Sequence, residues 1–154
     1  MSVRRLNHAV LYVRDARRAA AFYEEALDFE VVAEVGDGAA VFLKAAGTEN
    51  HHDLGLFSLG PQAPPPQPGR VGLYHLAWQV DSIQDLAAMR DRLTRLGALA
   101  GASDHGVSKS LYAKDPDGNE FEVMWDVPRE HWGTAEHDAV VAPLDLDAEL
   151  ARYG

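Results

Sequence analysis

The order of apolar and polar positions divides this chain into two halves with the same predicted elements. Alternating positions predict strands, and a run of helix-forming residues predicts one helix in each half. In the first half, the predictions are a strand at residues 6–14, a helix at 16–27 and strands at 30–35, 40–44 and 52–59. In the second half, they are a strand at 73–80, a helix at 82–96, a weak strand near 100–103 and strands at 110–114 and 120–125. The repeated order indicates two copies of one supersecondary unit.

Short-range signals support the predicted ends of these elements. Asp15 and Ser82 stand where helix N-caps are expected, and Gly97 follows the second predicted helix as a stop signal. The sequence GDG at 36–38 and the sequence DPDG at 115–118 each separate two predicted strands. Both are typical of tight turns, so each marks a hairpin.

Two segments fall outside the repeat. The run PQAPPPQPG contains five prolines, which favours an extended linker over a helix or a central strand. The last part of the chain is a tail with a short helix predicted at 145–152. The predicted organisation is a single domain over residues 1–127, made of a module at 5–60, a proline-rich linker at 61–69 and a module at 70–126, followed by a tail at 128–154.

Three of the predicted strands turn histidine or glutamate away from their apolar face. Because side chains two apart on a strand share a face, these residues are His8, His75 and the pair Glu120 and Glu122. Neighbouring carboxylates on a half-buried strand cost free energy unless a cation pairs with them. Two histidines and one carboxylate form the ligand set of non-haem Fe(II) centres, although the same face could also be solvated. Strand parity does not distinguish Glu120 from Glu122.

Composition narrows the classes of partner. The 154-residue chain carries a net charge of −10, which repels phosphate backbones and argues against nucleic acid. It has no cysteine, so disulfides and thiol nucleophiles are excluded. No stretch approaches 18 apolar residues, and the start lacks the apolar core of a signal peptide. We therefore expect no membrane partner. We expect the protein to be located in the cytoplasm.

Three motifs resemble those of the vicinal oxygen chelate superfamily, which includes glyoxalase I, fosfomycin and bleomycin resistance proteins and extradiol dioxygenases. They are NHAVLYVRD, LYHLAWQV and DPDGNEFEV, and the resemblance spans residues 5–126. It implies an α+β fold in which two βαβββ modules pair into a curved mixed-sheet cup around a divalent metal. It also implies His8, His75 and Glu122 as the metal ligands, with Glu120 exposed or behind them.

Two further segments resemble catechol 2,3-dioxygenase-like members in particular. HHDLGLF resembles the segment that carries an acid–base histidine, which maps onto His52, with His51 as the less favoured choice. HGVS resembles the segment of a second active-site histidine, His105, which would hydrogen-bond dioxygen or substrate. Tyr112 falls where these enzymes have a tyrosine that lies near a substrate oxygen. Apolar walls are expected from Val10, Tyr12, Ala77 and Met124.

The resemblance thus implies an extradiol ring-cleaving dioxygenase with a catechol-type aromatic substrate and dioxygen as reactants. The expected metal is Fe(II), with Mn(II), Zn(II) or Ni(II) as alternatives, and the expected assembly is a homodimer. The alternative functions are a glyoxalase-like lyase, isomerase or epimerase, and a small-molecule-binding resistance protein. Glyoxalase I takes a further glutamate ligand from the strand that here carries His52-Asp53-Leu54. His52 or Asp53 could stand in for it, which departs from the glyoxalase pattern. A phosphonate-binding pocket would be rich in lysine and arginine, and Lys109 is its one candidate.

Overall fold

The computed structural model describes residues 2–154, and its elements fall into two units, with the boundary along the chain between Gln67 and Pro68. The first unit contains β1 (Ala9–Val13), α1 (Ala16–Leu27), β2 (Glu30–Val35), β3 (Ala40–Lys44) and β4 (Leu54–Ser58). Its four strands form one mixed sheet in the order β1-β4-β3-β2, with β1 parallel to β4 and the other pairs antiparallel.

The second unit repeats this topology. It contains β5 (Leu76–Gln79), α2 (Ile83–Arg95), β6 (Leu99–Asp104), β7 (Ser108–Lys114) and β8 (Glu120–Asp126), followed by α3 (Leu146–Tyr153). The sheet order is β5-β8-β7-β6, and β5 is parallel to β8. The predicted α+β class with two βαβββ units is confirmed. Among residues 2–154, no helix combines the length and the apolar character needed to cross a lipid bilayer.

Helix caps and strand alternation explain why these elements form. The Asp15 carboxylate accepts a hydrogen bond from the Arg18 N–H at the start of α1, and the Ser82 hydroxyl accepts one from the Asp85 N–H at the start of α2. On β8, the side chains alternate between a buried and a half-buried face. The buried ones are Phe121, Val123 and Trp125, and the half-buried ones are Glu120, Glu122 and Met124.

The strands β1 and β5 are shorter than predicted. Each begins where its parallel partner supplies the first paired residue: Ala9 lies opposite Leu54, and Leu76 lies opposite Phe121. His8 and His75 therefore immediately precede their strands instead of lying within them. Tyr74 lies two residues before β5 begins and is 75% exposed.

The tail, residues 128–154, packs on the second unit. Two backbone hydrogen bonds join Asp104 at the end of β6 to Ala142, with N···O distances of 2.8 and 3.0 Å. Arg90 on α2 forms an ion pair with Asp147 on α3 at 2.9 Å. Leu146 is buried where α3 begins. These contacts attach the tail to both a strand edge and a helix.

A buried lysine adds a third attachment. The Lys109 side chain is only 5% exposed, and its Nζ lies 2.6 Å from Asp104 Oδ1 and 3.4 Å from Glu149 Oε2 on α3. The Asp104 carboxylate also accepts a hydrogen bond of 2.7 Å from the Gly106 N–H. A buried ammonium requires such partners, because an unpaired charge in this position would be costly. Lys109 is therefore a structural residue that joins β7 to the tail.

We expect Asp104→Asn to lower stability in a pH-dependent way. Burial raises the pKa of Asp104, but hydrogen bonds from Lys109 and the Gly106 N–H outweigh it, so this pKa lies below the usual aspartate range. The carboxylate thus stabilises the fold above the unfolded-state pKa of about 3.9, and this contribution is lost as the pH falls through the lower folded value. We expect a deficit of about 1.5–3 kcal/mol at neutral pH.

Unfolding of the wild type and of Asp104→Asn between pH 7 and pH 3 would test this expectation. The difference between the two proteins should shrink as the pH falls below about 4. The exposed Asp138 offers a matched control, because Asp138→Asn removes the same charge from the tail surface. A pH-independent deficit in Asp104→Asn would show that the carboxylate charge does not matter.

Candidate functional site

His8 is oriented by an asparagine pair in the first unit. Asn7 Nδ2 donates to Asn50 Oδ1 at 3.0 Å, and Asn50 Nδ2 donates to the Asn7 carbonyl at 2.9 Å. The amide oxygen of Asn7 is thereby directed at His8 Nδ1, 2.9 Å away. An amide oxygen only accepts, so Nδ1 carries the proton and Nε2 of the neutral ring keeps a free lone pair. Metal-binding histidines are commonly fixed in this way.

His52 lies beside His8 in the same unit. The two ring centroids are 4.6 Å apart, and Phe42 contacts His52 edge-on at 5.0 Å. His51 Nδ1 lies 3.1 Å from His52 Nδ1, on the exposed side. Burial, followed by the neighbouring His8 and His51 rings, lowers the pKa of His52 below its usual value. A lowered pKa favours the neutral imidazole, the form that accepts a proton.

The loop that carries His52 is held by a buried carboxylate. Asp53 accepts hydrogen bonds from the Ala45 N–H at 2.9 Å, from Asn50 Nδ2 at 2.7 Å and from the Thr48 hydroxyl at 3.3 Å. Both carboxylate oxygens are therefore occupied within the first unit. Asp53 thus serves the loop and is poorly suited to be the additional ligand that a glyoxalase-type centre would need.

In the second unit, His75 lies between the two glutamates of β8. Its Nε2 is 3.0 Å from Glu122 Oε2, whereas its Nδ1 is 4.0 Å from Glu120 Oε1. Nδ1 is buried and forms no hydrogen bond within the described part of the chain. The geometry therefore pairs His75 with Glu122 directly, and Glu120 lies behind the ring.

The donor atoms of this pair are compatible with a shared metal ion. Two ligands at right angles, each about 2.1 Å from one ion, lie about 3 Å apart. The observed 3.0 Å between His75 Nε2 and Glu122 Oε2 matches that spacing, as it also matches a hydrogen bond. An imidazole nitrogen and a carboxylate oxygen are suitable donors for a divalent transition metal. Neither unit, over residues 2–154, by itself gathers three His, Asp or Glu side chains around one point.

Tyr112 stands next to this pair. Its ring centroid is 5.6 Å from that of His75, and its backbone lies opposite Glu122 in the β7–β8 register. Burial, followed by the negative charge of Glu122, raises the pKa of Tyr112 above its usual value. The hydroxyl is thus kept protonated.

His105 occupies the turn between β6 and β7, and protein groups engage both of its ring nitrogens. Nδ1 lies 2.9 Å from the Val140 carbonyl oxygen of the tail, and Nε2 lies 2.8 Å from the Tyr112 hydroxyl. The predicted hydrogen bond from His105 to dioxygen or substrate would therefore require one of these bonds to break.

The predicted site residues are thus divided between the units. The first unit brings His8 and His52 together, and the second brings together His75, Glu122, Tyr112 and His105. Sequence reasoning does not reveal the part of Asn50 and Asp53 in holding the histidine loop, nor that of Val140. Asn50 and Asp53 lie in the polar run TENHHD at 48–53, which could have indicated a role for them. No feature of the tail sequence indicates a role for Val140.

Comparison with known proteins identifies relatives of this chain. Residues 5–123 match the Glyoxalase/Bleomycin resistance protein/Dioxygenase superfamily. A catechol-2,3-dioxygenase of Bacillus subtilis (strain 168) is 31% identical over 134 residues, which is 82% of this chain and 43% of that protein. A biphenyl-2,3-diol 1,2-dioxygenase 2 of Rhodococcus globerulus is 32% identical over 120 residues, which is 77% of this chain and 61% of that protein. The chain thus spans about half the length of these curated relatives.

The fold is also found among solved structures. A glyoxylase/bleomycin resistance protein/dioxygenase domain from Frankia sp. EAN1pec superposes with a TM-score of 0.69. The match covers 82% of this chain and all of that domain, at 23% sequence identity. At this identity the likeness concerns the fold alone.

Proposed function

We propose that this chain, which belongs to the Glyoxalase/Bleomycin resistance protein/Dioxygenase superfamily, is a metal-dependent extradiol dioxygenase acting on a catechol-type aromatic. The observation that carries the proposal is the pair of donor atoms on His75 and Glu122, 3.0 Å apart and next to Tyr112. The relatives named as catechol and biphenyl-2,3-diol dioxygenases support the choice of substrate class.

The proposed metal ligands are His8, His75 and Glu122, and the proposed metal is Fe(II). Two imidazoles and one carboxylate are the donors that leave open positions on non-haem Fe(II). When bound, the ion would act as a Lewis acid that orients the vicinal oxygens of the substrate and makes their protons easier to remove. His8 suits this role because its Nδ1 is satisfied by Asn7 and its Nε2 is free.

His52 is the proposed general acid–base. It lies beside His8, so a substrate oxygen near His8 would also be within reach of the His52 ring. His52 would accept a catechol proton and return a proton later in the cycle, a role that commonly contributes 10²–10⁴-fold to the rate. Phe42 and the Asp53-bound loop would fix the orientation of the ring.

The remaining site residues would position the aromatic substrate. Tyr112 would form a hydrogen bond to a substrate oxygen. Val10 and Tyr12 on β1 are 51% and 69% exposed, so they are available to contact an apolar ring.

We also propose, on the family resemblance, that the chain forms a homodimer in the cytoplasm.

The glyoxalase-like alternative is less well supported. It would need a further carboxylate ligand, and Asp53, the candidate on the corresponding segment, is occupied by three hydrogen bonds within its own unit. A phosphonate-binding function is disfavoured as well, because Lys109 is buried between Asp104 and Glu149. The extradiol proposal gives roles to both His52, as the acid–base group, and Tyr112, as a substrate contact.

Oxygen uptake by anaerobically Fe(II)-loaded protein, measured against a panel of catechols, would test the proposed function. We expect catechol-dependent uptake together with the yellow chromophore of a ring-opened product. The metal content should be measured in the same samples. If protein with one metal per chain consumed no oxygen with any catechol, catechol cleavage would be contradicted and lyase or isomerase chemistry favoured.

A further inference from the structure

We propose that His105 is a positioning residue through which the tail fixes the hydrogen-bond direction of Tyr112. Val140, His105 and Tyr112 form an unbroken chain of two hydrogen bonds, of 2.9 and 2.8 Å, within the second unit. The assignment of Tyr112 to the substrate rests on the proposed function. The tautomer of His105 and its hydrogen bond to the tail are independent of the proposed function.

The chemistry of the first bond sets the tautomer of His105. The Val140 carbonyl oxygen has no hydrogen to give, so His105 Nδ1 must be the donor. In a neutral imidazole the other nitrogen is then an acceptor. Nε2 therefore accepts a hydrogen bond from the Tyr112 hydroxyl over 2.8 Å.

This arrangement determines what Tyr112 can offer to a ligand. Its single hydroxyl proton is used by His105, so the phenolic oxygen presents only lone pairs to the space beside His75. A substrate oxygen that contacts Tyr112 must then carry its own proton. The site would thus prefer a substrate hydroxyl over a fully ionised oxygen at this position, because an ionised oxygen would meet lone pairs alone.

Several contacts hold the tail in the position that fixes the direction of the hydrogen bonds from Tyr112 to His105 and from His105 to Val140. Val140 lies two residues before Ala142, whose backbone is joined to Asp104 by two hydrogen bonds, and Lys109 links Asp104 to Glu149. The tail also packs closely against the His105 turn. A Cβ added at Gly106 would lie 2.7 Å from Ala135 Cβ and 3.5 Å from Val140 Cγ2.

Nitrogen-15 NMR of the full-length, metal-free protein with labelled histidine rings tests the tautomer without any turnover. The spectra would be recorded at about pH 8, above the usual histidine pKa of about 6.5. We expect His105 to show a protonated Nδ1 and an unprotonated Nε2. Tyr112→Phe should shift the Nε2 resonance alone. A protonated Nε2 in the wild type would overturn the proposal.

Two glycine variants separate the effect of the tail from that of backbone strain. Gly106 and Gly97 both have positive φ, +75° and +66°, so alanine is strained at either position. Only at Gly106 does the added Cβ meet the tail, since nothing lies within 4 Å at Gly97. We expect Gly106→Ala to lose the fixed tautomer and Gly97→Ala to keep it. Equal behaviour of the two folded variants would overturn the role of the tail.

If Gly106→Ala does not fold, a second pair of variants tests the other hydrogen bond of the chain, between His105 and Tyr112. The amide of His105→Gln reaches the position of Nε2 and retains an acceptor for the Tyr112 hydroxyl, whereas that of His105→Asn reaches only the position of Nδ1. With tyrosine labelled at ¹³Cζ, we expect the Tyr112 signal to stay near its wild-type shift in the Gln variant. It should move in the Asn variant. Equal shifts in both variants would overturn the proposal.

These outcomes are distinguishable from failure of the proposed function. If the NMR results hold and no catechol is cleaved, the tail-to-Tyr112 link stands and the extradiol reaction is wrong. If catechol is cleaved and His105 has the opposite tautomer, the reaction stands and the link is wrong.

Discussion

Replacing Glu122 by glutamine is expected to abolish tight binding of Fe(II), whereas the same replacement at Glu120 is expected to weaken binding by no more than about 100-fold. Glu122 Oε2 lies 3.0 Å from His75 Nε2, while Glu120 Oε1 is 4.0 Å from the other ring nitrogen. Loss of a residue that merely supports a ligand typically weakens metal affinity about 10–100-fold. We expect Glu120→Gln to stay within that range and Glu122→Gln to exceed it. Anaerobic calorimetric titration with Fe(II) would measure both.

The two variants are matched controls for each other. Glu120 and Glu122 lie on the same face of β8, both are half-buried, and each variant removes one negative charge while preserving side-chain size. Any effect of total charge on Fe(II) attraction is therefore common to both. Equal losses of affinity would show that charge alone matters. A larger loss in Glu120→Gln would transfer the ligand role to Glu120 and contradict the assignment.

Local sequence signals predicted some elements to the residue. The helix at 16–27 and the strands at 30–35 and 40–44 have the bounds that the structure shows. These elements are delimited by nearby residues, namely the Asp15 cap and the GDG turn, in which residues 36–38 all have positive φ. Such limits depend on neighbours in sequence, so the sequence alone reveals them.

The lengths of β1 and β5 could not be predicted in this way. Alternation continues outward past His8 and past Tyr74, but hydrogen bonding to the parallel partner starts only at Ala9 and Leu76. Where a partner strand begins is decided by contacts distant in sequence. Side-chain parity is likewise identical for Glu120 and Glu122. The family resemblance favours Glu122, and the three-dimensional arrangement places its Oε2 3.0 Å from His75 Nε2.

The contribution of the tail was also beyond sequence reasoning. His105 and Tyr112 could be singled out by their similarity to dioxygenase segments, but Val140 acts through its backbone carbonyl. A carbonyl group is present at every residue, so no side-chain pattern distinguishes this one. The sequence likewise marks Lys109 only as a candidate anion-binding residue, because the partners of its buried ammonium, Asp104 and Glu149, come from β6 and α3.

Replacing His52 by alanine is expected to reduce catechol-dependent oxygen uptake by about 10²–10⁴-fold, the usual contribution of a general acid–base. Because His52 is not a proposed ligand, the Fe(II) content should stay at the wild-type level. His51→Ala is the matched control, since it removes an identical side chain from the adjacent, exposed position. We expect its oxygen uptake to remain near the wild-type rate. Oxygen-electrode assays at saturating catechol, with iron content determined on the same samples, would measure these differences.

The two histidine variants also separate proton transfer from packing. His52 contacts His8 and Phe42, so its removal could disturb the proposed ligand His8 as well as the chemistry. A loss of Fe(II) that parallels the loss of turnover in His52→Ala would assign His52 to holding His8 in place. Retained Fe(II) with lost turnover would assign it to proton transfer. If His51→Ala lost turnover and His52→Ala did not, the acid–base role would belong to His51, because the two rings are adjacent and only one of them needs to reach the substrate.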